Sequence, residues 1–205
     1  MTEHPLTVGL IAAARALTAW LDDAGAPGVI VGGVAASLLG RPRLTQDVDA
    51  LISLPEELWP ALLQKAATHH IVPRIADPLG FAAHARVLLM RHEPSGIDLD
   101  LILGGLQFEY DAVAAAVPHQ FGPLMIRLPR VEDLMIMKAI ANRPRDMLDL
   151  EALLSMHPEA DLERVGQYIR EFALAASMSE LIENWSRVVA RRPPEVQDDA
   201  GRYSD

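Results

Sequence analysis

Two short segments of this chain alternate aspartate with aliphatic residues: Asp47-Val48-Asp49-Ala50-Leu51-Ile52 and Ile97-Asp98-Leu99-Asp100-Leu101. A period of two belongs to a β-strand, whose side chains point to opposite faces in turn. Each segment therefore predicts a strand with one apolar face turned into a core and a second face carrying two carboxylates. Two like charges side by side on a half-buried strand destabilise it unless a cation neutralises them. A single Asp-x-Asp is more often a pair of surface acids than a functional site. Two such strands in one small apolar core point instead to a metal site. Oxygen donors with no histidine or cysteine beside them suit Mg²⁺ or Mn²⁺.

The segments around these strands read as a mixed α/β half. Leu10, Ile11, Ala14, Leu17, Trp20 and Leu21 recur at helical spacing over 6–23, and Gly25 and Pro27 end the run. Gly28-Val29-Ile30-Val31 reads as a short buried strand. Gly32-Gly33 follows, then a short helix to Leu39. A helix opens at Pro55 with acids at its positive end and runs to about His69. Residues 71–83 carry no clear pattern, being broken by Pro73, Pro78 and Gly80. Residues 85–91 and 97–103 predict a hairpin about Pro94-Ser95-Gly96. Residues 108–117 predict a helix, 124–128 a strand, and 131–155, 160–176 and 178–191 three helices. Parallel and antiparallel pairings are expected to mix, because the hairpin sits among strand–helix units. The expected organisation is a core over 1–129, a helical region over 130–192, and a loose acidic tail over 193–205.

The Gly32-Gly33 turn joins a strand to a helix. Glycines there let the backbone approach a ligand closely, and the helix start offers free N–H groups suited to a triphosphate. Alone it is weak, since many strand–helix turns use glycine for steric reasons.

Composition removes other chemistries. There is no cysteine among the 205 residues, which excludes disulfides, thiolate zinc sites and a cysteine nucleophile. The histidines are scattered, and no HExxH, P-loop, dinucleotide-binding glycine fingerprint or Gly-x-Ser-x-Gly occurs. A net charge of −10 argues against a large basic nucleic-acid face, although Arg41, Arg43, Arg143 and Arg145 could form a local patch. The N-terminal run lacks the pattern of a signal peptide, and no run of about 18 uninterrupted apolar residues occurs. A cytoplasmic location without membrane contact is expected.

The run Val29-Ile30-Val31-Gly32-Gly33-Val34-Ala35-Ala36, followed by Arg43-Leu44-Thr45-Gln46-Asp47-Val48-Asp49, resembles the signature of the DNA-polymerase-beta-like nucleotidyltransferase superfamily. Within it the chain is similar to the minimal nucleotidyltransferases and the AbiEii/AbiGii-type toxin-like proteins. Asp100 through Glu109 resembles the strand bearing their third carboxylate. Pro129 to Lys138 and Arg143 to Leu150 resemble the helical region that follows. The likeness spans roughly residues 26–155 and implies a mixed sheet flanked by helices.

The resemblance further implies Mg²⁺- or Mn²⁺-dependent transfer of a nucleoside monophosphate from a nucleoside triphosphate to a hydroxyl of tRNA or protein. An antitoxin-like protein is an implied partner. Asp47 and Asp49 would bridge two ions, and Asp100 would hold the ion nearer the acceptor. Asp98 shares its face and could assist or replace Asp100. The Gly32 and Gly33 backbone would cradle the phosphates, with Arg43, Thr45 and Lys138 as further nucleotide contacts. The loop reads Gly-Gly where many active members have Gly-Ser, so a hydroxyl contact to phosphate is expected to be missing. Asp146 and Asp149 share a helix face beside Arg143 and Arg145, which helical ion pairing explains as well as chemistry does. A second reading, of a different class, keeps the fold without the chemistry, as a binding or regulatory module.

Overall fold

The computed structural model describes residues 5–191, and the side chains from residue 7; the expected tail over 193–205 lies outside the described residues. The chain divides into two compact units, one ending at Leu134 and the other beginning at Met135.

The first unit is built on a five-stranded mixed sheet. Helix α1 (Pro5–Ala24) leads into β1 (Gly28–Ile30), α2 (Gly32–Leu39) and β2 (Asp47–Ile52). After α3 (Trp59–Ala66) come β3 (Ile71–Pro73), α4 (Pro78–Ala85), β4 (Val87–His92) and β5 (Ile97–Leu103). The strand order is β1-β2-β5-β4-β3. β2 and β5 run parallel, and each of the other neighbours is antiparallel. The predicted alternation is realised on both acidic strands. Val48, Ala50, Ile52, Leu99, Leu101 and Leu103 are buried, whereas Asp47, Asp49, Asp98 and Asp100 are half-buried on the other face. Helix α1 packs against β2 and β5 with Leu17 and Trp20 wholly buried, and the Trp20 indole N–H donates to the Leu62 carbonyl at 2.9 Å.

Helix α5 (Gln107–Ala114) stops sooner than its apolar pattern suggests, and Val117, expected at its end, begins β6 (Val117–Phe121). β6 pairs with β7 (Leu124–Leu128) in a separate two-stranded sheet. The unpatterned stretch 71–83 holds β3 and the start of α4, whose N-cap Asp77 accepts from the Gly80 amide at 2.9 Å.

The second unit is helical. The single helix expected over 131–155 is two, α6 (Val131–Ala141) and α7 (Pro144–Met156). The break has a local cause: Asn142 adopts φ +52°, and Pro144 disfavours a helical conformation at Arg143, which is extended. Helices α8 (Leu162–Ala176) and α9 (Glu180–Ala190) complete the unit, with Val165, Ile169, Leu181, Trp185 and Val188 buried.

Candidate functional site

Strand directions bring the sequence motifs to one end of the sheet. Because β1 runs against β2, the end of β1 lies beside the start of β2, and the Val31 amide donates to the Asp49 carbonyl at 2.9 Å. Because β5 runs with β2, its acids come level with the first pair: Asp47 opposite Asp98, and Asp49 opposite Asp100. Four carboxylates on two strands roughly 4.8 Å apart thus share one face.

The glycine turn is fitted to this face. Gly32 holds φ +59°, a conformation L side chains rarely adopt, and a Cβ built on it would fall on the Asp49 carboxylate. Gly33 is hemmed in from the other side. Its Cβ would meet the Thr45 hydroxyl and lie 2.9 Å from the Thr45 Cβ, with the Arg43 guanidinium 3.4 Å away. The expected absence of a hydroxyl at position 33 therefore has a steric partner, since buried Thr45 fills that room. The Thr45 hydroxyl donates to Asp47 Oδ1 at 2.8 Å, which orients this carboxylate. Ser37 Oγ lies 2.9 Å from the Gly33 carbonyl and 3.1 Å from that of Arg43, and so ties the turn to the segment entering β2. Gly32, Gly33, Arg43, Thr45, Asp47 and Asp49 are thereby brought together.

Two arginines, neither singled out from sequence, hold the acids of β5. Arg74 follows β3, and its amide donates to the Leu89 carbonyl at 2.9 Å, at the level where Leu89 faces Asp100 across β4 and β5. From there its Nη1 donates to Asp98 Oδ2 at 3.0 Å and its Nη2 to Asp100 Oδ1, while its buried Nε has no hydrogen-bond partner among the described residues. Arg91, half exposed on β4, donates through Nε to Asp98 Oδ1 at 2.7 Å.

These contacts separate the two acids electrostatically. The Arg91 hydrogen bond, with Arg74 adding to it, holds the Asp98 carboxyl below its ordinary value against the opposing effect of burial. For Asp100 the balance reverses. Burial raises its pKa, Arg74 opposes that, and the neighbouring charges of Asp47 and Asp98 raise it further. Asp98 is paired with two arginines and Asp100 with one.

The donor set suits a hard divalent cation by type and by register. As the side chains stand, no three acids or histidines among the described residues converge on one point, because the β5 carboxylates are turned to arginines. Positive charge on the β5 side of this face comes here from Arg74 and Arg91.

Lys138 sits in the helical unit, buried, with its ammonium 2.9 Å from Asp146 Oδ1 and 2.8 Å from Asp149 Oδ2. Asp146 also accepts from the Arg143 amide at 3.3 Å. The acids whose spacing suggested pairing with Arg143 and Arg145 thus close a buried triad about Lys138. Arg74 lay within the unpatterned stretch; its only sequence signal is a basic residue directly after a short apolar run.

A family model described as "Nucleotidyltransferase of unknown function (DUF6036)" matches residues 8–189. Among solved structures, the chain is similar to an antigenic nucleotidyltransferase-like protein from Paracoccidioides brasiliensis. The TM-score is 0.52 at 16% identity, covering 86% of this chain and 92% of that one. It is also similar to the antibiotic-resistance factor ANT(2'')-Ia, with a TM-score of 0.56 at 13% identity, covering 83% of this chain and 95% of that one. At such identities these likenesses speak for the fold. No match was found among curated proteins. No helix among the described residues is long and apolar enough to cross a membrane.

Proposed function

The chain belongs to this family of nucleotidyltransferases, and we propose that it is a metal-dependent member moving a nucleoside monophosphate from a nucleoside triphosphate to a hydroxyl of tRNA or of a protein. The observation that carries the reading is the parallel register of β2 and β5, which sets Asp47 and Asp49 level with Asp98 and Asp100 beside the Gly32-Gly33 turn.

Each residue takes a role from its surroundings. Asp47, oriented by Thr45, and Asp49, packed beneath Gly32, are the pair that would bridge the ions. Asp100 is the third ligand in preference to Asp98, which two arginines already neutralise. Bound there, Mg²⁺ or Mn²⁺ would neutralise phosphate charge and lower the pKa of the acceptor hydroxyl. The start of α2 at the Gly32-Gly33 turn offers amides that favour an anion such as phosphate. The Arg43 guanidinium beside Gly33 adds positive charge to that cradle. A toxin-like role with an antitoxin-like protein partner, drawn from the resemblance to the AbiEii/AbiGii-type proteins, is part of the proposal.

Label transfer from each α-³²P nucleoside triphosphate into a cell extract, with Mg²⁺ or Mn²⁺, tests it. The intact protein is expected to label an RNA or protein band. Asp47→Ala/Asp49→Ala should lose about 10³-fold or more of the rate, the scale of several kcal/mol of lost charge stabilisation. Full activity in the double variant would overturn the assignment of these carboxylates. Transfer from no nucleotide, in an extract where a known transferase works, would favour a binding or regulatory module on the same fold.

A further inference from the structure

Arg74 occupies one oxygen of each β5 carboxylate. Its guanidinium spans Asp98 Oδ2 and Asp100 Oδ1, and its side chain is only 24% exposed. A guanidinium and a divalent cation drawn to the same Asp100 carboxylate repel each other, since both are positive. Entry of the ion therefore loosens the hold of Asp100 on Arg74. A mostly buried arginine that loses one of its two carboxylates is left with less compensating charge, which is unfavourable. It needs another anion within reach. A triphosphate arriving with the metal is such an anion, and the planar guanidinium fork matches phosphate oxygens as well as it matches carboxylates. The Nε–H, buried without a partner among the described residues, is a further donor available to it.

We propose that Arg74 is the resident counter-ion of the β5 acids, passing from Asp100 to the nucleotide's phosphates when the divalent ion enters, so that metal and triphosphate bind as a coupled pair. This inference rests on the metal-dependent reading above. Its consequence is reciprocal: metal alone binds weakly, metal strengthens phosphate binding, and phosphate strengthens metal binding by the same factor. The arginine also offsets the charge of the β5 acids when no nucleotide is present.

The test measures two affinities in the full-length protein: Mn²⁺ alone, read from the electron-paramagnetic-resonance signal of the free ion, and the Mn²⁺ complex of inorganic tripolyphosphate, read by calorimetry. Arg74→Met is expected to bind Mn²⁺ alone about tenfold or more tightly than the wild type, because the competing cation is gone. It should bind Mn²⁺-tripolyphosphate about tenfold or more weakly, because the phosphate partner is gone; tenfold corresponds to about 1.4 kcal/mol. A residue that merely shapes the site would weaken both. Arg91→Met removes a charge from the solvent side of Asp98 and should leave tripolyphosphate affinity in place. Should Arg74→Met fail to fold, Arg74→Lys carries the test, with smaller changes of the same opposed signs. Shifts in one direction for both ligands, or equal shifts in the Arg91 and Arg74 variants, would overturn the role of Arg74 and leave the metal-dependent reading standing. Absence of Mn²⁺ binding by every protein, with or without tripolyphosphate, would overturn both.

Discussion

Replacing Gly32 by alanine tests how the glycine turn and the acid strand depend on each other. Two costs arise at that position, and the structure allows them to be separated. The first is backbone: at φ +59° an alanine Cβ crowds its own carbonyl, at about 1–2 kcal/mol. The second is steric. The new methyl would fall on the Asp49 carboxylate, and relieving such overpacking costs about 1–3 kcal/mol. The sum is about 2–5 kcal/mol, which for a urea m-value of about 2 kcal/mol/M lowers the unfolding midpoint by roughly 1–2.5 M. Gly25 supplies the control. It holds φ +63° with nothing within 4 Å of a built Cβ, so Gly25→Ala carries the backbone cost alone. The difference between the two midpoints isolates the collision with Asp49. Because Asp49 must move by an ångström or so to admit the methyl, label transfer by Gly32→Ala should fall about 10²-fold, while Gly25→Ala keeps its rate. Equal midpoints and equal rates for the two variants would refute the packing of Gly32 on Asp49.

Removing the ammonium in Lys138→Met leaves Asp146 and Asp149 buried without their partner and should cost about 3–5 kcal/mol, read as a fall in thermal or urea midpoint. Lys138→Met/Asp146→Asn/Asp149→Asn should recover much of that stability, and transfer measured in the triple variant then shows whether Lys138 also serves the nucleotide. His92 is buried with Nδ1 2.8 Å from Ser95 Oγ, and burial, with His70 adding to it, lowers its pKa below 6.5. The unfolded chain therefore takes up a proton near pH 6.5 that the folded chain refuses, so this group's contribution to stability is present above that pH and falls as pH drops toward the folded value. His92→Gln should flatten the loss of urea midpoint between pH 7.5 and 5.5; an unchanged slope would refute it.

What could be read from sequence follows from the range of the interactions concerned. The acid strands were legible because alternation is local: Asp47 to Ile52 and Ile97 to Leu103 announce both their conformation and their buried face. The register that makes them a site was not, since it depends on β5 crossing to lie parallel with β2. Strand β6 was missed because Val117-Pro118-His119-Gln120-Phe121 has neither alternation nor β-branched density and is mostly exposed. It is recognisable only with β7 beside it. Arg74 meets acids 24 and 26 residues away across β4, and no spacing rule reaches that far. The spacing of Asp146 and Asp149 did reveal a shared helix face. Their cation comes from the preceding helix across the bend at Asn142, which pattern alone had smoothed into one continuous helix.

The interlock of Gly33 with Thr45 sets an order on how this loop can change over generations. A serine entering position 33 meets the Thr45 hydroxyl and methine in the same space, so Thr45 must move or give way to admit it. Clearing that room with alanine or glycine at 45 takes from Asp47 the hydroxyl that orients it. A lineage passing between the Gly-Gly and Gly-Ser forms by that route crosses an intermediate with neither hydroxyl in place. That impaired step lets the two positions change as a pair and resists their drifting apart.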